Sequence, residues 1–178
     1  IPCSSPEEVA EGSDIVLICV SDDNAVENVL FKNNGAVNAL RAGNIILDLS
    51  TISPSKSRDI ANKLAKENIQ YIDAPVTGGT EGATSATLTM FLGCNGEVLE
   101  KLTPLLKVIA TNIYPFGDVG KGQEVKLINQ ILVAGNYAAL AEAIALGKHL
   151  ELPMNKVIEA LGEGAASSWA LKNRSTMM

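Results

Sequence analysis

From Gln123 to Leu150 the chain runs without a proline, good helix formers dominate, and apolar residues recur on almost every side of a helical projection. Val125, Leu127, Ile128, Ile131, Leu132, Val133, Leu140, Ile144 and Leu146 cover most of the circumference. A helix of this length spans about 42 Å at about 1.5 Å per residue. A helix apolar nearly all round has to be buried on several sides, so this half is expected not to stand alone. Small residues along it (Ala134, Gly135, Ala138, Ala139, Ala141) suit close approach of another helix. Pro153 opens a further helix with Val157, Ile158 and Leu161, and Ala165 to Leu171 opens another.

The residues before Gly117 have a different character. Asp14 to Val20 is a short unbroken apolar run rich in β-branched residues, and Asn44 to Leu49 repeats it. Such runs mark strands buried on both faces, as in a parallel sheet. Between them, Asp22 to Leu40 is long enough for a crossover helix carrying Ala25, Val26, Val29 and Leu30, which makes a βαβ unit. Ser53-Pro54 is a helix start, with Ile60, Ala61 and Leu64 facing inward. Strands at Tyr71–Ala74, Leu88–Gly93 and Asn112–Pro115, and an amphipathic helix from Glu97 to Ile109, complete this half. The expected architecture is an α/β domain over 1–116 joined to an all-helical domain over 117–178.

Composition removes several function classes. With 14 Lys+Arg against 20 Asp+Glu the net charge is −6, so the chain lacks the basic footprint that phosphate backbones require. Three cysteines with no close pair give neither a disulfide framework nor a Cys-rich zinc site. The single histidine, His149, excludes a His-based triad and a multi-His metal centre. It lies about 35 Å along the helix from Lys126, too far to share a site. No stretch reads as pure enough to span a bilayer. Reduced thiols and the lack of an export signal point to the cytoplasm. The chain opens on Ile1-Pro2-Cys3 and stops at Met177-Met178, and reads as a piece of a longer protein.

Four segments could carry chemistry. Asp73-Ala74-Pro75-Val76-Thr77-Gly78-Gly79 follows a strand, where ligands of open α/β sheets bind. Adjacent glycines let backbone N–H groups approach an anion, and Thr77 adds a hydroxyl, so the segment is a carboxylate nest or an ordinary tight turn. Gly117-Asp118-Val119-Gly120-Lys121-Gly122 leads into a helix on which Lys126 and Asn129 share a face. Its spacing is not a P-loop. Lys126, one turn into an apolar helix, is a snorkelling surface residue or a partly desolvated amine able to exchange protons near neutral pH. Asp48-Leu49-Ser50-Thr51-Ile52-Ser53-Pro54 puts the Thr51 hydroxyl at the sheet edge, to meet a ligand or to sit in a capping turn. Cys19-Val20-Ser21 ends the first strand at the same edge. Trp169, the sole tryptophan, packs in a core or walls a pocket.

Together these motifs resemble the β-hydroxyacid dehydrogenase family, which includes 3-hydroxyisobutyrate dehydrogenase, tartronate semialdehyde reductase and the glyoxylate/succinic semialdehyde reductases. The resemblance spans essentially the whole chain. Asp73 to Gly79 looks like the family's substrate segment, with Thr77 where Ser is commoner. Gly117-x-x-Gly120-x-Gly122-x-x-x-Lys126-x-x-Asn129 looks like its catalytic segment. Asp48-x-Ser50-Thr51-x-x-Pro54 looks like the segment whose threonine reaches the nicotinamide side of the cofactor. The family's Gly-x-Gly-x-x-Gly fingerprint and its C-terminal Lys-Asp pair are not in the sequence, and Ser21 stands where proline is common.

The resemblance implies a Rossmann-type domain and an NAD(P)-dependent oxidoreductase acting on a short 3-hydroxyacid or its semialdehyde, with NAD or NADP as cofactor. It implies Lys126 as the proton-transfer residue and Asn129 beside it. Thr77, Gly78 and Gly79, with Trp169, would bind substrate, and Cys19, Val20, Ser21 and Thr51 the cofactor. No metal is implied. Partners would be a small carboxylate-bearing substrate and a second copy through the helical domain, with neither nucleic acid nor membrane. Two rivals are a non-catalytic dimerisation or binding protein of the same fold, which has no need of Lys126, and a phosphogluconate dehydrogenase-like decarboxylating enzyme. The latter expects a histidine before the asparagine, where this chain has Leu127-Ile128-Asn129.

Overall fold

The computed structural model describes residues 1–178 as two compact units, Ile1–Lys126 and Leu127–Met178. In chain order the first unit contains α1 (Pro6–Ala10), β1 (Ile15–Ile18), α2 (Asp23–Phe31), β2 (Ile45–Asp48), α3 (Pro54–Ala65), β3 (Gln70–Asp73), β4 (Val76–Thr77), α4 (Gly79–Thr84), β5 (Leu88–Leu92), α5 (Glu97–Leu106) and β6 (Ala110–Pro115). The helix α6 (Lys121–His149) begins in it.

Strands β1, β2 and β3 lie side by side and parallel, with Ile18, Asp48 and Asp73 in register at their carboxyl ends. Their side chains alternate between two cores. Ile46 and Tyr71 face Val26, Leu30, Ile60 and Leu64, whereas Leu47 and Ile72 face Met90, Leu102 and Leu106. Helices therefore cover both faces, which is what a parallel sheet of continuous apolar runs requires. The crossover helices are fixed by local chemistry. Asp22 accepts from the Ala25 amide at the start of α2, and Ser53 accepts from the Lys56 amide at the start of α3, with Pro54 in the first turn.

The chain turns at Ala74-Pro75 and pairs antiparallel with β5 through β4. The Gly93 amide donates to the Asp73 carbonyl and the Phe91 amide to the Pro75 carbonyl, so this pairing reaches back to the end of β3. Strand β6 then runs parallel to β5. Two short elements lie where the sequence suggested none. The Gly-rich turn after Thr77 closes into α4, and α1 precedes the first strand, capped by Ser5.

The second unit consists of the rest of α6, then α7 (Met154–Gly162) and α8 (Trp169–Arg174). Ser168 caps α8 by accepting from the Leu171 amide. Its core is small: Leu140, Ile144, Ala170 and Leu171, with Tyr137, Met154 and Ile158 against them. The expected burial of the long helix on several sides is not met within this chain. Ile128, Ile131, Leu132 and Leu146 are 60%, 73%, 63% and 58% exposed. Two short helices supply too little apolar surface to cover a 29-residue partner. The expectation that nothing in the sequence could span a bilayer is also corrected, since α6 is long and apolar enough to cross a membrane by length and composition. The core helix of a soluble protein meets the same description, and Glu142 in its C-terminal half would be costly in hydrocarbon.

Candidate active site

Asp73 is the organising residue. It ends β3, is fully buried, and lies below the start of α6. Its Oδ1 accepts from the Gly120 amide at 2.7 Å and its Oδ2 from the Gln123 amide at 2.8 Å. The first amides of a helix have no internal partners and carry partial positive charge. Gly120 has no side chain to cap them, so a carboxylate 47 positions earlier does so. Burial pushes the Asp73 carboxyl above its ordinary value, and the hydrogen bonds from Gly120 and Gln123 oppose that rise. Space around the carboxylate is tight. A Cβ on Gly93 would overlap it, and one on Gly122 would overlap the Phe91 carbonyl oxygen and lie 2.9 Å from Asp73 Oδ2. Glycine is therefore the residue that lets α6 begin directly against β5.

One turn further, Lys126 is buried at 8% exposure and its Nζ donates to the Val76 carbonyl at 2.7 Å. No carboxylate pairs with it. Burial pushes its pKa down from the ordinary 10.5, because desolvation disfavours the ammonium. The lysine thus touches the segment that continues into Thr77, Gly78 and Gly79. Gly78 and Gly79 are exposed and take positive φ of 130° and 66°, backbone that side chains rarely adopt. Their conformation turns the chain from β4 into α4.

The β2–α3 loop closes the site on the other side. Ser50 is buried, its Oγ accepts from the Val20 amide at 2.9 Å, and its own amide donates to Asp48 Oδ1 at 2.9 Å. Asp48 Oδ2 accepts from the Tyr71 hydroxyl at 2.7 Å. Burial raises both Asp48 and Tyr71 above their ordinary values. Ser57 Oγ, also buried, has no hydrogen-bond partner. Gln123, fully buried, donates from Nε2 to the Ser50 carbonyl at 2.7 Å and accepts at Oε1 from the Ile52 amide at 3.2 Å. Between these two contacts Thr51 is exposed.

The first unit therefore brings together Lys126, Thr77, Gly78 and Gly79. Thr51 is tied to the same helix turn through Gln123, and the Cys19–Ser21 loop is tied to Ser50. Cys19 and Ser21 are exposed, and the Ser21 hydroxyl donates to Asp22 Oδ2 at 3.1 Å. Asn129 and Trp169 belong to the second unit. The Asn129 amide donates to Gln130 Oε1 at 3.0 Å, and the half-exposed Trp169 ring carries the Arg174 guanidinium 4.5 Å from its centre. Sequence reasoning gave no role to Gln123 or Ser50 and left Asp73 as part of a motif. The available signal was a buried-type strand ending in Asp, followed by a helix whose N-terminal position is glycine.

The exposed Thr51 and the Cys19–Ser21 loop lie at the carboxyl edge of parallel strands, where open α/β sheets bind ligands. A family model described as the NAD-binding domain of 6-phosphogluconate dehydrogenase matches residues 1–117. A second, described as NAD-binding of NADP-dependent 3-hydroxyisobutyrate dehydrogenase, matches residues 120–178. The chain is 39% identical over 170 residues to 2-(hydroxymethyl)glutarate dehydrogenase of Eubacterium barkeri, covering 96% of this chain and 56% of that protein. It is 37% identical over 172 residues to 2-hydroxy-3-oxopropionate reductase of Escherichia coli, covering 97% and 59%. The crystal structure of 3-hydroxyisobutyrate dehydrogenase from Salmonella typhimurium superimposes with a TM-score of 0.89 at 32% identity, covering 97% of this chain and 60% of that one. The chain thus spans less than two thirds of the length of these relatives.

Proposed function

The chain belongs to the β-hydroxyacid dehydrogenase family, and from that premise we propose that the whole protein is an NAD(P)-dependent oxidoreductase interconverting a short 3-hydroxyacid and its semialdehyde. The observation that supports this best is the unpaired, buried Lys126 amine resting on the Val76 carbonyl, one residue from the Thr77-Gly78-Gly79 turn.

Thr51 and the Cys19-Val20-Ser21 loop would hold the nicotinamide dinucleotide, NAD or NADP, which when bound would supply the hydride chemistry. In this reading Thr77 and the Gly78 and Gly79 amides hold the substrate carboxylate, which orients the reacting carbon. Lys126 moves the proton at the substrate's hydroxyl oxygen, as base in oxidation and acid in reduction. A lowered pKa suits an amine that must do both. Asn129, three residues on in the same helix, is the second candidate contact for that oxygen. We further assign residues 1–116 to the dinucleotide domain and 117–178 to the helical domain. The three free cysteines suit a cytoplasmic location. The exposed apolar residues of α6 suit a homo-oligomer.

The test is steady-state turnover of the full-length protein. NADH and NADPH are compared with glyoxylate, succinic semialdehyde, tartronate semialdehyde and methylmalonate semialdehyde. Lys126→Ala should lower kcat by about 10²–10⁴ with cofactor affinity nearly kept. Turnover surviving within a few-fold would remove Lys126 from the chemistry.

A further inference from the structure

Gln123 is the largest fully buried polar side chain in the molecule, and neither the proton transfer nor the carboxylate turn uses it. Its amide spans two peptide groups of another loop, donating to the Ser50 carbonyl and accepting from the Ile52 amide. The residue between them is Thr51, whose side chain is exposed. The Gln123 backbone amide is itself held by Asp73. Lys126 follows at i+3, one turn along the same helix face. Had this position only to fill space, an apolar side chain of similar size would serve. A primary amide satisfies one donor and one acceptor at once, and both lie on the backbone either side of Thr51.

We propose that Gln123 is a positioning residue, locking the Thr51 backbone to the helix turn that carries Lys126 so that the two ends of the reacting pair keep one spacing. This rests on the hydride-transfer reading above, in which Thr51 meets the nicotinamide end and Lys126 the substrate oxygen. Ser50 extends the lock, because its Oγ accepts from the Val20 amide and so ties in the end of β1 as well. Hydride transfer needs donor and acceptor carbons in near contact, so a loop released by even an ångström slows the chemical step while substrate binding is spared.

Gln123→Glu is the informative variant because its protonated carboxyl can reproduce both bonds: the O–H donates to the Ser50 carbonyl and the remaining oxygen accepts from the Ile52 amide. The ionised form has no proton to donate. Asp73, which accepts from the Gln123 amide, and Asp48, which accepts from the Ser50 amide, are the ionisable groups joined to this network by hydrogen bonds, and Lys126 follows one turn along the same helix. In the full-length enzyme, kcat, substrate KM and melting temperature are measured for the parent, Gln123→Glu and Gln123→Leu across the acid-to-neutral range. The glutamate variant should approach the parental kcat at acid pH and fall on the order of tenfold or more below it as pH rises. The leucine variant should be low throughout, with KM changed far less than kcat. Three results would overturn the proposal: a leucine variant within twofold of parent, a glutamate profile parallel to the parent's, or a fall in kcat and melting temperature with a comparable rise in KM, which is a structural role alone. A parent with no nicotinamide-dependent turnover would instead defeat the proposed function. The positioning claim is then read from the acylation rate of the Lys126 amine, and an unchanged rate in Gln123→Leu would overturn it.

Discussion

Gly122→Ala reverses an ordinary rule, and the structure fixes the sign. In a helix interior, alanine is favoured over glycine by about 1 kcal/mol. At Gly122 the new methyl would overlap the Phe91 carbonyl oxygen and lie 2.9 Å from Asp73 Oδ2 and 3.0 Å from the Gly93 amide nitrogen. Two of these three neighbours are backbone, and the third is a carboxylate held by two amides. None can turn away as a flexible side chain would. Relief requires the first turn of α6 to lift, and overpacking of this kind costs about 1–3 kcal/mol. Lifting it also stretches the bonds from Gly120 and Gln123 to Asp73, and hydrogen bonds to charged groups are worth about 1.5–3 kcal/mol each. Setting the propensity gain against partial loss of these bonds leaves a net destabilisation of about 2–4 kcal/mol. For a chain of this size each kcal/mol moves the midpoint by about 2–4 °C, so melting should fall by about 5–15 °C. Gly135 of the same helix meets nothing within 4 Å in this chain, so Gly135→Ala should hold or raise the midpoint. Both are read by thermal and urea unfolding of the same preparation. A Gly122→Ala protein as stable as the parent would mean that α6 does not start against β5 and the Asp73 cap as described.

Gly78→Val places a β-branched residue at φ +130° beside Leu88, so the turn must reshape. Substrate KM should rise far more than cofactor Kd, and the opposite pattern would move carboxylate binding elsewhere. Burial lowers the Lys126 pKa, so kcat/KM for reduction, which needs the ammonium, should fall as pH rises through that lowered value. Oxidation should rise through the same value, and profiles flat in both directions would exclude the lysine. Asp48 has a folded pKa raised above 3.8 by burial, so the folded state keeps a proton that the unfolded chain releases. Its contribution to stability is present below 3.8 and is lost as pH rises through the raised value. Asp48→Asn should therefore gain stability relative to the parent across that window, and a difference in midpoint that does not change with pH would refute this.

What sequence determined about this protein is local. The β-branched runs at Ile15–Ile18 and Ile45–Asp48, the caps at Asp22 and Ser53, and the proline-free stretch of α6 each act over a few residues, so their periodicity is legible without the fold. The glycine pair at 78–79 and the lysine at 126 were legible as residue types in order, but their alternatives stayed open. Tertiary structure decided those. Lys126 could snorkel or be buried, and the carbonyl it meets lies 50 positions away. The cap of α6 comes from 47 positions away and the partners of Gln123 from 71 and 73, distances that no helical or strand period encodes. The exposed face of α6 makes the same point in reverse: the pattern states that the face is apolar, but whether it is covered depends on how much other surface packs against it, and here that surface is two short helices.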